Sequence, residues 1–190
     1  MSLVARTSGE LAALSADQAL EVLYAAQWTP MVRLAWLLVR DQGAAEDIVQ
    51  DALVALHRRW DHLQDKEQAV GYLRRSVVNA SRSVLRHRSV ERDYLIKAGP
   101  EAERESVAPS AEHSALGSLG NQAMLAALQH LPRRQREVLI LRYYSDLSEA
   151  QIADTLGIAP GSVKAHAHRG LVALRSHLDD PTRSHREDSP

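Results

Sequence analysis

The residues with the clearest potential for chemistry lie in a basic stretch near the C-terminus. Residues 160–178 include Lys, Arg and His but no acidic residue. Helical spacing separates this stretch into two sides. The apolar side consists of Val163, Ala167, Gly170, Leu171, Leu174 and Leu178. The opposite side carries Ser162, Ala165 and Arg169, flanked by Lys164, His166 and His168. Small and basic side chains on one helix face suit entry into the DNA major groove, so the stretch predicts a DNA-contacting helix.

A shorter predicted helix precedes this one at the distance that a helix-turn-helix requires. Ser148 is a suitable N-cap, and Gln151 three residues later completes a capping box. Gly157 can end the helix in the left-handed conformation, and residues 158–161 then form a tight turn before a second helix that starts near Ser162. The alternative is an ordinary helical hairpin with a solvated basic face. The turn chemistry and the lack of acids favour the helix-turn-helix.

A second basic segment lies in the middle of the chain. Residues 69–88 show helical periodicity, and residues 72–92 contain six Arg against one acidic residue. Arg suits phosphate and base contacts because its guanidinium is a planar fork of donors. Tyr72 and Tyr94 could stack on bases or could belong to a core. The segment therefore predicts a nucleic-acid surface, with a soluble charged helix as the alternative.

The charge is segregated along the chain, although the net charge is only −1. Residues 93–121 contain five acidic and two basic residues, and residues 99–120 are rich in Ala, Ser, Glu, Pro and Gly. This composition predicts an acidic linker between two basic modules. The chain has no Cys, which fits a reduced, cytoplasmic setting. We expect no membrane insertion, because no apolar stretch approaches the roughly 20 residues of a membrane span.

Helical periodicity recurs elsewhere, and no strand-type alternation appears, so the predicted fold class is all-α. Residues 17–40 fit one or two helices, with Pro30 as a kink or a helix start. A further helix is expected from Ala44 to Trp60, and others cover residues 121–131 and 133–144. The predicted organisation is a flexible arm (1–16), a helical domain (17–95), a flexible acidic linker (96–120), a second small helical domain (121–178) and a disordered tail (179–190).

The sequence lacks the signatures of common catalytic sites. It contains no Gly-rich phosphate loop, no HExxH and no setting for a Ser or Cys nucleophile. His166 and His168 are two positions apart and so do not share a helix face, which argues against a metal site. We therefore predict no catalytic residue, no metal, no cofactor and no enzymatic activity.

Taken together, the two halves resemble the extracytoplasmic-function (ECF, group IV) sigma factors of bacterial RNA polymerase, in the sigma-70 family. The resemblance covers roughly residues 23–178. The segment that resembles sigma region four reads LPRRQREVLILRYYSDLSEAQIADTLGIAPGSVKAHAHRGLVALR. The region-two helix that docks on the polymerase clamp coiled coil is resembled by AAEDIVQDALVALHRRW, and the segment that melts and reads the minus-10 element by AVGYLRRSVVNASRSVLRHR.

The resemblance implies promoter-specific transcription initiation, with core polymerase (clamp coiled coil and flap) and promoter DNA as partners and an anti-sigma factor as a further candidate. The implied core-docking residues are Asp47, Gln50 and Asp51. The implied minus-10 contacts are Tyr72, Arg75, Asn79, Arg82, Ser83 and Arg86. The implied minus-35 contacts are Ser162, Lys164, Ala165, His168 and Arg169. In the family, the residue matching Asn79 lies beside a base flipped out of the non-template strand.

This chain departs from the family pattern at three places. Residues 159–161 read Ala-Pro-Gly where a capping Ser or Thr is usual near position 159, Ala165–His166 replaces a common Ser-Arg, and Tyr72 replaces a frequent Trp. These changes affect the expected minus-35 sequence and leave the class unchanged. Two other classes remain as alternatives. One is a free-standing helix-turn-helix regulator of the response-regulator type, and the other is a helical adaptor that binds only polymerase or another partner and not DNA.

Overall fold

The computed structural model describes residue 11 and residues 13–63, 65–98 and 119–179. Within these ranges the chain forms seven α-helices and no strand, which confirms the all-α prediction. The helices are α1 (Ala16–Val39), α2 (Gln42–Arg59), α3 (Ala69–Ala98), α4 (Leu119–His130), α5 (Arg133–Tyr143), α6 (Glu149–Leu156) and α7 (Pro160–Asp179). Two 3-10 turns, Trp60–His62 and Lys66–Gln68, connect α2 to α3. The chain divides into two compact units, residues 1–107 and 108–190.

Unit 1 is a bundle of α1, α2 and α3 around one apolar core. Each helix contributes one buried side. On α3 the buried positions recur every four residues, at Ala69, Leu73, Val77 and Ser81. The buried Ser81 hydroxyl has a hydrogen-bond partner within the helix, because it donates to the Val77 carbonyl at 2.8 Å. This spacing commits one side of α3 to the core and leaves the opposite side outside it.

The side chains of Asp41, in the turn itself, and of Arg88, on α3, stabilise the turn between α1 and α2. Arg40 ends α1 in the left-handed conformation, with φ at 57°. Asp41 then caps α2, because its Oδ1 accepts a hydrogen bond of 2.8 Å from the Ala44 amide. Arg88 of α3 donates to the Val39 carbonyl at 3.1 Å and to Asp41 Oδ2 at 2.8 Å. Arg88 therefore fastens α3 to this turn. With Asp41 as its cap, α2 begins two residues earlier than expected.

The N-terminal arm, expected to be flexible over residues 1–16, is packed where it enters unit 1. Leu11 is buried, and the Leu14 carbonyl accepts a hydrogen bond of 3.0 Å from the Trp60 indole. Ser15 forms a capping box with Gln18 at the start of α1. Residue 11 and residues 13–16 therefore have partners in unit 1, through the Trp60 indole and the helix cap, whereas the flexibility of the arm stays a prediction. Residues 1–10 and 12 lie outside the described residues.

Helix α1 runs without interruption through Pro30, so the segment forms one helix rather than two. By length and composition alone, α1 is long and apolar enough to cross a membrane. The expectation that no stretch approaches the length of a membrane span is wrong by these two criteria. They are weak evidence for a span, since the core helix of a soluble protein passes the same test. Leu23, Leu34 and Ala35 of α1 are buried in unit 1.

Unit 2 contains α4 to α7, and α6 and α7 form the predicted helix-turn-helix. The Ser148 amide donates to Gln151 Oε1 at 2.9 Å, and the Gln151 amide donates to Ser148 Oγ at 3.3 Å, as the capping box predicted. Gly157 ends α6 at a φ of 64°. Helix α7 begins at Pro160 rather than near Ser162, because proline suits the first helical position, where no amide donor is needed.

Helix α7 buries a narrower strip than its sequence suggests. Val163, Ala167 and Gly170 are buried, but Leu171 and Leu178 are 42% and 37% exposed. The buried positions follow a spacing of four and three residues, which is the width of one helix–helix seam. The expected apolar arc is therefore too wide at its C-terminal end.

The helices that border the linker are longer than expected. Helix α3 continues ten residues beyond Arg88 to Ala98, and α4 begins at Leu119 rather than Asn121. No Gly or Pro interrupts the sequence between Tyr72 and Ala98, so the helix persists after its periodic burial ends. Residues 96–98 and 119–120, expected to be linker, are thus helical. The rest of the expected linker (99–118) and the expected tail after Asp179 lie outside the described residues.

Candidate nucleic-acid interface

The six residues predicted to contact the minus-10 element share one face of α3. They follow one another mostly at spacings of three or four residues, on the side opposite the buried positions. The exposed members are Asn79, Ser83 and Arg86, and the half-buried members are Tyr72, Arg75 and Arg82. The structure therefore brings all six together at the surface of unit 1.

Hydrogen bonds link neighbouring side chains along this face. Arg82 Nη1 donates to Asn79 Oδ1 at 3.1 Å, and Arg86 Nη2 donates to Ser83 Oγ at 3.3 Å. The Ser83 hydroxyl in turn donates to the Asn79 carbonyl at 3.2 Å. These contacts orient two guanidinium groups and one amide along the helix axis. Such a row of planar donors can contact successive phosphates or base edges of a nucleic-acid strand.

Two of the six Arg residues in the segment 72–92, Arg74 and Arg88, have surroundings that differ from those of this face. Arg88 is engaged with the turn between α1 and α2, as described above. Arg74 is half-buried, and its buried Nε has no hydrogen-bond partner among the described residues. Burial lowers the pKa of Arg74 from its ordinary value. The basic surface of α3 is therefore narrower than a count of Arg suggests.

The three residues predicted to dock on polymerase are all exposed on the outer face of α2. Asp47, Gln50 and Asp51 are spaced so that they share one helix face, away from the buried Ile48 and Val49. His57, also expected off the buried side, pairs with Asp17 of α1 at 2.8 Å. The outer face of α2 thus presents carboxylates and an amide to solvent.

An apolar groove between α1 and α2 borders this face. Tyr24 and Trp28 stack with ring centroids 4.9 Å apart, and Tyr24 is half exposed. The lining residues are Leu20, Glu21, Tyr24, Trp28, Gln50, Leu53 and Val54. Because Gln50 belongs to both features, the polar face and the groove form a continuous surface.

Helix α7 exposes the residues predicted to contact the minus-35 element. Lys164, Ala165, His168 and Arg169 are exposed, and Ser162 is half-buried near the start of the helix. The buried residues on the other side of α7 are Val163, Ala167 and Gly170. The five predicted residues therefore lie on the side of α7 that does not pack against unit 2. A small Ala among longer donors allows close approach to base edges.

One residue at this surface was missed by sequence reasoning. Glu149, the first residue of α6, accepts a hydrogen bond of 3.2 Å from Arg142 Nη1 through Oε1. Its other oxygen, Oε2, lies 3.7 Å from Lys164 Nζ on α7. An acid in the first helical turn is common because it complements the helix dipole, so no sequence pattern indicated a second role for Glu149. The carboxylate joins α5, α6 and α7.

Charged side chains of α5 form an ion pair and hydrogen bonds inside unit 2 that stabilise the helix-turn-helix. Glu137 is buried and lies 3.1 Å from Arg134 Nη1, which also donates to the Leu156 carbonyl at the end of α6, at 3.5 Å. Arg136 is buried and donates to the carbonyl and side-chain oxygens of Gln129 at 3.3 and 2.9 Å. Burial lowers the pKa of Arg136. These side chains connect α5 to α4 and α6, so they act in the fold.

The described residues contain no group of three or more His, Asp or Glu side chains that could hold a metal ion. His166 is half-buried and His168 is exposed. The exposed faces of α2, α3 and α7 offer charge and hydrogen-bonding groups for binding a partner.

Comparisons with known proteins agree on one family. The Sigma-70 region 2 model matches residues 24–90, and the Sigma-70 region 4 model matches residues 121–174. The RNA polymerase sigma-E factor of Streptomyces avermitilis is 36% identical over 149 residues, which cover 78% of this chain and 79% of that protein. The ECF RNA polymerase sigma factor SigL of Mycobacterium tuberculosis is 31% identical over 180 residues, covering 93% and 97%.

Solved structures show the same fold. The sigma factor RpoE of Bartonella quintana, in complex with the anti-sigma factor NepR, superposes with a TM-score of 0.67 at 26% identity, over 84% of this chain and 96% of that chain. CnrH, in complex with the cytosolic domain of CnrY, shares the fold at a TM-score of 0.63 and 20% identity, over 93% and 96%. The region 2 match in unit 1 disfavours the response-regulator alternative. The chain therefore belongs to the sigma-70 family and is an RNA polymerase sigma factor of the extracytoplasmic-function group.

Proposed function

We propose that this sigma factor docks on core RNA polymerase through the outer face of α2. In the same complex, α3 contacts the minus-10 element and α7 the minus-35 element. The observation that carries the proposal is that each of these three faces is open and lies opposite the buried side of its own helix. Each face also falls within a stretch matched to region 2 or region 4.

The docking role of α2 is supported by its combination of carboxylates and an adjoining apolar groove. Exposed charges select a partner of opposite charge, while apolar surface supplies affinity. Asp51→Arg should therefore weaken binding to core polymerase, measured by fluorescence anisotropy, without changing the helical content. Asp61→Arg is the matched control, since Asp61 is exposed on the 3-10 turn outside this face. An unchanged core affinity of Asp51→Arg would remove that residue from the docking face.

The role of α3 is supported by the row of oriented donors that includes Asn79. Holding a single strand by charge and accepting an unstacked base lowers the free energy of strand opening. Asn79→Ala should therefore slow promoter opening more than it weakens the closed complex. Permanganate footprinting of unpaired thymines and filter binding would follow the two steps separately. Equal effects on both steps would contradict a role at a flipped base.

Two weak DNA-binding units become effective together when one polymerase holds them. Tethering makes the second contact intramolecular and raises its effective concentration. We propose that neither unit alone binds promoter DNA tightly, and that core polymerase, present in the cytoplasm, is the scaffold. The RpoE relative is bound to an anti-sigma factor, so a protein of that class is a further proposed partner. It would compete for the surfaces that polymerase uses.

Reconstitution tests the proposed function directly. Purified full chain and bacterial core polymerase would be incubated with a pool of genomic upstream fragments, and run-off transcripts would be sequenced. Transcripts that require the chain, arising from fragments with shared minus-10 and minus-35 sequences, are the expected result. Failure to bind core polymerase, combined with DNA binding by the free chain, would instead support a free-standing regulator. Binding to core polymerase without DNA binding or promoter-specific initiation would support the adaptor.

A further inference from the structure

We propose that Glu149 is a specificity-determining residue for minus-35 recognition, because it restrains Lys164 from contacting phosphates indiscriminately. The inference rests on the proposed function of α7 and adds to it a residue of another helix. Glu149 belongs to α6, outside the set of residues predicted to contact DNA.

The geometry places the Glu149 carboxylate between two cations from different helices. Its Oε1 holds Arg142 of α5 at 3.2 Å, and its Oε2 faces Lys164 of α7 at 3.7 Å. The Glu149 side chain is 30% exposed, whereas the Lys164 side chain is 73% exposed. The partly buried anion is therefore held by Arg142, and Lys164 is the more exposed partner of the pair.

The charge pattern of α7 gives this contact its effect on DNA. Residues 160–178 contain no acid, so any DNA would attract the bare helix through its phosphates. Glu149 brings a negative charge to the exposed face of α7 and partly neutralises Lys164. An exposed ion pair is weak and exchangeable. A well-placed guanine edge, which is a neutral acceptor, can thus replace Glu149 as the partner of Lys164. A phosphate at the same ammonium group is an anion and is repelled by the nearby carboxylate.

The expected consequence is a penalty that falls mainly on wrong sequences. Specificity is a difference between two affinities, and weakening the competing complex raises it as effectively as strengthening the correct one. Glu149→Gln keeps the size of the side chain and removes its charge. This change should release Lys164 to phosphates and strengthen binding to DNA that lacks the minus-35 sequence.

The test uses the full chain assembled with core polymerase. The DNA is a promoter fragment from the run-off selection and the same fragment with a scrambled minus-35 element. For Glu149→Gln we expect the affinity for the scrambled fragment to rise about fivefold and that for the promoter to rise much less. The salt dependence on the scrambled fragment should steepen by about one phosphate contact. Asp179→Asn, at the far end of α7, is the control for a change of net charge.

A second pair of variants isolates the route through Lys164. In the background Lys164→Ala, adding Glu149→Gln should leave discrimination between the two fragments unchanged, because the restrained cation is gone. The proposal is overturned if Glu149→Gln changes both affinities equally, or if its effect on discrimination persists without Lys164. A wild-type holoenzyme that does not distinguish the two fragments would overturn the proposed function itself, and a wild type that does so keeps the two failures separate.

Discussion

The close packing of α7 against α5 predicts opposite effects on stability for two Gly→Ala substitutions in α7. A methyl group at Gly170 would lie 3.1 Å from Leu139 Cδ1, 3.2 Å from Leu139 Cγ and 3.3 Å from Gln135 Cβ. Carbon atoms in ordinary contact are about 3.5–4.0 Å apart, and Leu139 is buried, so we expect its side chain to resist displacement. A methyl group at Gly161 would meet nothing within 4 Å.

The magnitudes follow from two opposing contributions. Replacing a helical Gly by Ala stabilises by about 0.5–1 kcal/mol, which is the expected gain for Gly161→Ala. At Gly170 the overpacking costs about 1–3 kcal/mol, so the net effect should be a destabilisation of roughly 0–2.5 kcal/mol. The difference between the two variants, about 1–3 kcal/mol, is the quantity to measure.

Urea denaturation of the full chain, followed by far-UV circular dichroism, would give this difference. All three Trp residues lie in the first 60 positions, so Trp fluorescence reports unit 1 and serves as an internal control that neither substitution should move. Gly170→Ala combined with Leu139→Ala should cost less than the sum of the two single changes, because the obstacle is removed. If Gly170→Ala stabilises as much as Gly161→Ala, the close approach of α7 to α5 is refuted.

Three further predictions concern single side chains. Arg88→Ala should destabilise unit 1 by about 1 kcal/mol in urea titrations followed by Trp fluorescence; unchanged stability with weaker minus-10 binding would return Arg88 to the DNA surface. Ser148→Ala should cost unit 2 about 1 kcal/mol by loss of the α6 cap, whereas Ser148→Asp should retain most of the stability, and equal losses would argue against capping. Arg169→Ala should weaken holoenzyme binding at the minus-35 element by about 1–3 kcal/mol if Arg169 contacts a base. An equal loss on a scrambled element would identify a phosphate contact instead.

Features that depend on neighbours in the chain were predictable. The Ser148–Gln151 capping box and the Gly157 helix end involve residues within one or two turns of each other, and the structure has both. The boundary at Pro160 was missed by two residues, because both a turn and a first helical position accept proline. The cap by Asp41 was missed for a similar reason, since Asp is equally at home in a turn.

Periodicity alone assigned too much apolar surface to the core. It placed Leu171 and Leu178 on the buried side of α7, yet both are exposed. The spacing of residues defines a helix side, but the width of the buried strip depends on which helices cover it. The candidate interface shows the same division: the exposed faces of α2, α3 and α7 followed from periodicity, while their assignment to polymerase and promoter elements came from the resemblance.

By itself, the sequence determined the helical fold class, the helix-turn-helix and the family, since each is encoded in local spacing or in motifs read along the chain. The tertiary structure alone decided which charged residues serve the fold and which remain available for binding. Arg88 and Asp41 meet across 47 positions, and Arg134 reaches the end of α6 across 22. Glu149 and Lys164 form an ion pair only because α6 and α7 pack against each other. An ion pair requires two side chains within a few ångströms, and no sequence pattern reports that distance between separate helices.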